Sequence, residues 1–345
     1  MKMVVCGAET LGPASPFEGT KMMRIAFCLA VALAATACAR APETYADASS
    51  DQGRIAHALE RLRDGGGPVM VVAHRACWAG HGPENSLQAI DACIEMGVDM
   101  IEIDVALTAD RTPVLMHDAT LDRMTEGHGP VASLAAGNVL NLRLREGRGG
   151  ADASLTQSRV PSLREALEHA RGKILVNLDV KGEAYAETFA LVDELGMGDQ
   201  IVLKMRAGAD DPNLRDAPFL GKTLFMPIIG ECEPANLDKV CAPVLGQAVG
   251  GYEPFAPVAY EIVFQHRAYL EEGRDELEAT DRRIWVNTLS PNHAAGLIDA
   301  DAVDEPDAVW GEVLRLGADI IQTDYPAELI AYLSGKQLYT KRSAN

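Results

Sequence analysis

Short apolar runs typical of β-strands alternate with amphipathic runs typical of α-helices from residue 69 to residue 322. The strand-like runs cover residues 69–73, 100–105, 113–116, 174–180, 201–204, 223–229, 258–264, 283–287 and 319–322. Helical patterns lie between most of them, at residues 86–96, 162–170, 183–195, 265–272 and 308–316. Repeated strand–helix units indicate parallel βα pairs, and roughly eight of them predict a closed (β/α)8 barrel of the TIM type.

Two irregularities interrupt the alternation. The link between Val105 and Pro113 is too short for a crossover helix, which needs about a dozen residues, so one strand should lie outside the barrel or pair unusually. The segment 120–160 is rich in glycine and polar residues. We interpret it as an insertion after the third strand that projects from the end of the barrel where active sites lie.

The composition indicates a globular body and excludes some partners. Of the 345 residues 48% are hydrophobic, and no apolar stretch after residue 50 approaches the roughly 20 residues needed to cross a bilayer. Length alone does not decide between one large α/β domain and two smaller ones. The formal net charge of −19 argues against nucleic acid or an anionic membrane surface as a partner.

The N-terminal part of the chain is expected to be a targeting segment. Residues 22–37 combine a basic start, an apolar run and a small-residue end, which is the layout of a secretory signal peptide. Translation would then begin at Met22 or Met23, and residues 1–21 would be an untranslated upstream segment. The apolar run is too short for a transmembrane anchor.

Two fates of the exported chain stay open. Cys38 after small residues resembles a bacterial lipobox, which predicts a lipid anchor and an outer-membrane lipoprotein of a Gram-negative bacterium. Ordinary cleavage after Ala37 would instead release a periplasmic protein. In both cases residues 38–52 have the small, polar composition of a tether, and residues 53–340 would form the barrel domain.

The remaining cysteines favour disulfides over a zinc site. Four of them would lie in an oxidising compartment: Cys77, Cys93, Cys232 and Cys241. The preferred pairing joins Cys232 to Cys241. Cys77 with Cys93 is the second hypothesis, because spacing does not fix connectivity. No CxxC pair or suitably spaced histidine supports zinc.

Charged residues two positions apart interrupt two of the apolar strands. They are Glu102 and Asp104 in one strand, and Asp179 and Lys181 in another. Residues at this spacing face the same side of a strand, so each pair should share one buried face. A buried carboxylate requires a compensating cation. A surface strand for the first pair, and a simple salt bridge for the second, are the alternatives.

Two histidines follow strand-like runs. His74 and His117 each end a strand, where barrel enzymes keep their chemistry, although either one alone could be a hydrogen-bonded structural residue. With the carboxylates they are the components of a metal-dependent site for a phosphate ester. A chain this acidic would need local positive potential from a metal ion, Arg75 and Lys181. No role is assigned to three histidines in loop-like sequence, His81, His128 and His293.

Seven short motifs occur along the chain in a characteristic order. They are Ala73-His74-Arg75, Pro83-Glu84-Asn85-Ser86, Glu102-Ile103-Asp104, Met116-His117-Asp118, Asn177-Leu178-Asp179-Val180-Lys181, Ile284-Trp285-Val286-Asn287 and Gln322-Thr323-Asp324-Tyr325-Pro326. With them, the region 69–334 resembles the glycerophosphodiester phosphodiesterase family, a group of barrel phosphodiesterases similar to phosphatidylinositol phospholipase C.

The resemblance implies a barrel enzyme that cleaves glycerophosphodiesters to sn-glycerol 3-phosphate and an alcohol. By position, Glu102, Asp104 and Asp179 look like the ligands of one divalent cation, and His74 and His117 look like the acid–base pair. Oxygen ligands without thiolate favour Ca²⁺ or Mg²⁺, and the sequence does not choose between them.

Further residues receive supporting roles by the same resemblance. Arg75 and Lys181 are expected to contact phosphate through charge-assisted hydrogen bonds. Trp285 is expected to wall the pocket. Glu84 and Asn85 are expected to support the site, with a position at the start of a helix as their structural alternative. Asp324 is given no role in the site, and a cap of the last helix is its structural alternative.

Departures from the family pattern keep other functions open. Ala76 follows Arg75 where the family usually has glycine, and Asp179 stands where most members have glutamate. Related lysophospholipase D and sphingomyelinase D enzymes tend to have aspartate there, so a phospholipase D-like action on lipid phosphodiesters or lysolipids is the alternative function. A non-catalytic ligand-binding lipoprotein is the second alternative. Membrane contact would then arise through the lipid anchor at Cys38.

Overall fold

The computed structural model describes residues 51–233 and 239–339. The predicted upstream segment 1–21, the signal peptide 22–37, Cys38 and most of the predicted tether lie outside the described residues. The first described helix begins at Asp51, within the last two residues of that tether. None of the described helices has the length and hydropathy that crossing a membrane requires.

Eight parallel strands form a closed barrel, and three further described strands lie outside it. The strands in chain order are β1 (Met70–Ala73), β2 (Met100–Leu107), β3 (Pro113–Leu115), β4 (Arg143–Arg145), β5 (Leu155–Arg159), β6 (Leu175–Val180), β7 (Ile201–Met205), β8 (Leu224–Gly230), β9 (Ala259–Val263), β10 (Arg283–Asn287) and β11 (Ile320–Thr323). The barrel order is β1, β2, β6, β7, β8, β9, β10, β11, and β11 pairs back to β1. The predicted (β/α)8 fold is confirmed.

Helices connect most of the barrel strands. The described α-helices are α1 (Asp51–Arg63), α2 (Leu87–Met96), α3 (Ala136–Val139), α4 (Leu163–Ala170), α5 (Tyr185–Glu194), α6 (Pro212–Arg215), α7 (Leu245–Tyr252), α8 (Arg267–Glu272), α9 (Arg274–Ala279), α10 (Asp299–Ala302), α11 (Pro306–Arg315) and α12 (Pro326–Gly335). Ser86 caps α2 by accepting from the Ala89 amide, and Ser162 caps α4 through a capping box with Glu165. All five predicted helical patterns correspond to helices in this set.

Strand β3 is the irregular third strand of the sequence. It pairs antiparallel with β2, with Leu115 opposite Val105, because the link between them is too short for a parallel crossover. The β4–β5 hairpin follows, and the segment has a small core of its own that includes Val114, Leu121 and Val139. The predicted insertion after the third strand is therefore present.

An apolar layer fills the barrel below the carboxyl ends of its strands. Met70, Met100 and Trp285 lie in one cluster with Leu62 of α1, which closes the amino-terminal end of the barrel. Arg283 is fully buried beside them, and its guanidinium donates to three backbone carbonyls at the end of α1 and in the turn that follows. Because its hydrogen bonds are satisfied, the buried cation is tolerated. Helix α1 was not among the predicted helices.

Two disulfides tie loops at the opposite, carboxyl end of the strands. Cys77 in the loop after β1 is bonded to Cys93 on α2, and Cys232 is bonded to Cys241 across the loop after β8. Both predicted pairings are confirmed. The first bond holds the segment that carries His74 and Arg75 against the neighbouring helix.

Removing the Cys77–Cys93 disulfide should lower the free energy of unfolding. Its sequence separation of 16 corresponds to a loss of about 3 kcal/mol on the loop-entropy model when both residues are replaced by alanine. Urea denaturation of the oxidised proteins measures the effect. The double alanine variant of Cys232 and Cys241, with a separation of 9, should lose roughly 0.5 kcal/mol less. Wild-type stability in the Cys77/Cys93 variant would contradict this role.

Candidate active site

A cavity of about 300 Å³ opens at the carboxyl ends of the barrel strands. Charged and polar side chains from seven of the eight barrel strands, or from the loops that follow them, line it. In barrel enzymes this end of the strands carries the chemistry. The cavity is therefore the candidate active site.

The three predicted metal ligands lie close together, and two of them, Glu102 and Asp179, line this cavity. Glu102 and Asp104 face the same side of β2, and Asp179 lies beside Asp104 in the parallel register of β2 and β6. One carboxylate oxygen of each residue lies within 4.8 Å of those of the other two. Glu102 and Asp104 are each only 1% exposed, which excludes the surface-strand alternative. The group could hold a metal ion.

Burial and charge act differently on these carboxylates. Burial raises the pKa of Glu102 to about 8, and repulsion from Asp104 adds to the shift. Burial also opposes ionisation of Asp104, but Lys181 and Arg75 outweigh it and hold the pKa of Asp104 below its usual value. The pKa of Asp179 is likewise lowered, because two lysines outweigh its burial. Of the three groups, Glu102 therefore gains a proton most readily near neutral pH.

Lys181 bridges two of the carboxylates. Its Nζ lies 2.8 Å from Oδ1 of Asp104 and 2.7 Å from Oδ2 of Asp179. The salt bridge across one strand face is thus present, and it extends to the neighbouring strand. The expected contact of Lys181 with phosphate stays a prediction.

His74 is held between a carboxylate and a guanidinium. Its Nδ1 lies 2.7 Å from Oδ1 of Asp324, and Nε of Arg75 donates to its Nε2 at 3.2 Å. Because a guanidinium can only donate, Nε2 must accept, and Nδ1 carries the ring proton. Burial lowers the pKa of His74 despite the opposing effect of Asp324. The ring therefore rests neutral, with Nε2 as its basic nitrogen.

His117, which also lines the cavity, has a carboxylate partner of its own. Its Nδ1 lies 2.7 Å from Oδ1 of Asp118, and Arg123 donates to both oxygens of Asp118 at 2.7 and 2.9 Å. The hydrogen bonds from Arg123 and His117 hold the pKa of Asp118 well below its usual range against the effect of burial. A charged Asp118 accepts the Nδ1 proton, so Nε2 of His117 is the nitrogen available for acid–base chemistry.

The two predicted supporting residues contact the main site residues directly. Both oxygens of Glu84 accept from Arg75 at 3.1 Å. The side chain of Asn85 donates to Oδ2 of Asp104 at 2.8 Å and accepts from the Asp104 amide at 3.0 Å. Glu84 is 1% exposed and Asn85 3%. They orient Arg75 and Asp104 respectively, which a place at a helix start alone would not require.

A family model described as the glycerophosphoryl diester phosphodiesterase family matches residues 74–215, the segment that carries both histidines and the three carboxylates. Residues 74–215, less than half of the chain, are thus similar to this family. A second model, described as a domain of unknown function, matches residues 225–333.

Relatives and solved structures extend this similarity. Glycerophosphodiester phosphodiesterase 1 of Bos taurus is 37% identical over 130 residues, which are 36% of this chain and 37% of the bovine protein. The match thus spans less than half of that relative. A glycerophosphoryl diester phosphodiesterase structure from Parabacteroides distasonis aligns with TM-score 0.63 and 22% identity, over 84% of this chain and 94% of that one. A phosphodiesterase from Oleispira antarctica, in complex with the product sn-glycerol-3-phosphate, aligns with TM-score 0.55 and 18% identity, over 77% and 97%.

One residue carried over from the glycerophosphodiester phosphodiesterase pattern is misplaced. Trp285, expected to wall the pocket, is fully buried in the apolar layer below it, so this prediction is wrong. Its indole nitrogen donates to Oδ1 of Asn287 at 2.6 Å, and Asn287, two residues further along β10, lines the cavity instead. Alternation along the strand correctly turns Trp285 inward but does not set its depth in the barrel.

Sequence reasoning missed a second lysine of the site, which is buried. Lys204 at the end of β7 is 5% exposed, and its Nζ lies 4.0 Å from Glu102, 3.8 Å from Asp179 and 3.7 Å from Glu261. Glu261, 4% exposed on β9, was missed as well. The signal was available, since each is a charged residue inside an apolar strand, as Asp179 is.

Three more residues of the cavity were given other roles or none. Asp324, expected to cap a helix, bonds His74 as described above. Arg148, from the insertion, reaches Oδ2 of Asp324 at 3.3 Å. His293, left without a role, lines the cavity, and burial lowers its pKa. The contact between Asp324 and His74 could be predicted only from strand order, because β11 and β1 are neighbours in the closed barrel.

The pKa of His74 provides a test of this geometry. NMR titration of the imidazole resonances should show His74 less than half protonated at pH 6.5, because its pKa is lowered by burial. Asp324 opposes that shift, so Asp324→Asn should lower the pKa of His74 further. The exposed His128, which pairs with Asp122, is the internal reference. A rise in the pKa of His74 in the variant would contradict the assigned hydrogen bond.

Proposed function

We propose that this chain hydrolyses glycerophosphodiesters to sn-glycerol 3-phosphate and an alcohol. The observation that carries the proposal is the convergence of three strand carboxylates between two histidines, each with its own carboxylate partner. The names of the bovine relative and of the Parabacteroides structure support the reaction. The bound product in the Oleispira structure supports the phosphoglycerol half of the substrate.

The donor set fits a hard divalent cation, Ca²⁺ or Mg²⁺. Glu102, Asp104 and Asp179 would hold it, and all three offer carboxylate oxygens without nitrogen or sulfur. Oδ1 of Asp104 is buried and receives no hydrogen bond of regular geometry, although Lys181 lies 2.8 Å away. Bound there, the ion would withdraw charge from a phosphate oxygen.

The protein side chains perform the remaining steps. Arg75 and Lys181 neutralise and orient the phosphate. One histidine accepts a proton through Nε2 from the attacking hydroxyl, which is water or the glycerol hydroxyl of the substrate. The new bond forms at phosphorus, the bond to the departing alcohol breaks, and the other histidine donates a proton to that alcohol. In a two-step route through a cyclic phosphate, His74 and His117 exchange roles.

Replacing His117 by alanine should abolish most of the activity. Incubation with glycerophosphocholine and a divalent cation, followed by ³¹P NMR, should show glycerol 3-phosphate with wild type and a roughly 10²- to 10⁴-fold slower reaction with His117→Ala. The matched control is His128→Ala in the exposed part of the insertion, which should keep the wild-type rate. A wild-type rate for His117→Ala would refute the acid–base assignment.

The same assay separates the alternative functions. Asp179 in place of glutamate favours the phospholipase D-like alternative, which would release lysophosphatidic acid or its cyclic form from lysophosphatidylcholine. Failure to convert either substrate, by folded protein supplied with Ca²⁺ or Mg²⁺, would favour a non-catalytic ligand-binding protein.

Binding of the cation should stabilise the fold. At about 100 times its dissociation constant, Ca²⁺ or Mg²⁺ should raise the free energy of unfolding by about 2.7 kcal/mol, and a chelator should reverse the change. Asp179→Asn should weaken this response in urea denaturation. Asp152→Asn, an exposed carboxylate of the insertion, is the control and should retain it. An equal response of all three proteins would place the ion elsewhere.

We further propose that the protein is exported and acts in an oxidising compartment, with Cys38 as its point of lipid attachment. The two disulfides support export, because such bonds persist mainly outside the cytosol. The signal-like residues 22–37 support it independently.

A further inference from the structure

A second cavity, of about 160 Å³, lies at the same end of the barrel as the candidate active site. The loop after β7 contributes Gly208 and Ala209, the loop after β8 contributes Cys241 and Ala242, and α7 contributes Ala248. Small apolar groups dominate this lining, and none of its described side chains is charged. The second cavity is therefore suited to hydrocarbon rather than to phosphate.

The two cavities share a wall. Ile228 on β8 lines both of them, and its neighbour in register on β9 is Glu261 of the charged cavity. Lys204, close to the carboxylates, lines the charged cavity next to the same strand. A phosphodiester held beside these charges has two ester substituents, and one of them would have to pass Ile228 to reach the apolar space.

The size of the second cavity limits its occupant. An apolar protein cavity of about 150 Å³ accommodates benzene, so this one has room for roughly six carbons. Its walls are held close together: a Cβ added at Gly251 would lie 3.1 Å from Cβ of Ala209. The disulfide between Cys232 and Cys241 fixes the third side. A larger side chain at one of these wall positions would therefore occupy the second cavity.

We propose that this second cavity binds the hydrocarbon part of the departing alcohol, so that the preferred substrates are glycerophosphodiesters of apolar alcohols. This inference rests on the proposed function. The reaction is the same hydrolysis: oxygen from water bonds to phosphorus, the bond between phosphorus and the alkyl oxygen breaks, and the alcohol leaves with a proton from a histidine. The phosphoglycerol half stays in the charged cavity.

The test is a series of glycerophosphodiesters that differ only in the alcohol: ethanol, butanol and hexanol. Glycerol 3-phosphate, the common product, is measured by coupled oxidation to obtain kcat/KM. We expect kcat/KM to rise about two- to fourfold per added methylene up to hexanol, because each methylene leaves water for an apolar space. Since the phosphoglycerol half is constant, the slope reports only on the second cavity.

Three variants test whether the dependence on chain length arises in the second cavity. Ala248→Leu and Ala209→Leu fill the cavity from two different walls and should each flatten the dependence on chain length, so a folding defect in one leaves the other informative. Gly250→Leu is the matched control, since this position on α7 is exposed, lies outside the lining and has open space around an added Cβ. It should keep the wild-type slope.

The outcomes are distinguishable. A rising slope in wild type that both filling variants flatten supports the inference. Hydrolysis of all three esters at similar kcat/KM overturns it and leaves the proposed function intact, as does a slope that neither variant alters. Absence of hydrolysis for every ester, by folded protein with Ca²⁺ or Mg²⁺, overturns the proposed function and this inference with it.

Discussion

The site depends on how buried negative charge is compensated. Four carboxylates, on Glu102, Asp104, Asp179 and Glu261, meet inside the barrel, where an isolated carboxylate would be too costly to keep. Two lysines reach them from β6 and β7, and an arginine reaches them from the loop after β1. These cations are placed so that no carboxylate lacks a nearby positive charge. The same arrangement is the proposed anchoring point for a phosphate and its cation, so the stability of the site and its proposed function depend on the same charges.

The apolar layer beneath the charged residues supports this compensation of charge. Because Trp285 and its neighbours fill the barrel below Asn287, the charged groups rest on a packed apolar floor. Arg283 joins this floor to α1 through backbone carbonyls. A preorganised polar site in a surrounding that excludes water is the condition under which fixed charges act most strongly.

Much of this was readable from the sequence. All nine strands predicted from apolar runs are present in the structure. The spacing of Glu102 and Asp104 correctly predicted that they share one face, because side chains alternate strictly along a strand. The sequence did not show how deep a side chain lies in the barrel or which residues from distant strands contact each other. Trp285 was placed too high, and the contact of His74 with Asp324 depends on the closure of β11 onto β1, which no local pattern encodes. Lys204 was overlooked although it is a charged residue inside an apolar strand, the same signal that pointed to Asp179.

The turn after β1 has a consequence for how the protein matures. Arg75 and Ala76 both adopt left-handed backbone conformations, with φ of 55° and 63°, which cost non-glycine residues on the order of 1 kcal/mol each. The Cys77–Cys93 bond holds this unfavourable turn in place. A freshly made, reduced chain would therefore be able to relax the turn and withdraw the Arg75 guanidinium from Glu84 and Asp104, the position proposed for phosphate contact. Under the proposed export, thiol oxidation would then be the step that fixes this side of the candidate site.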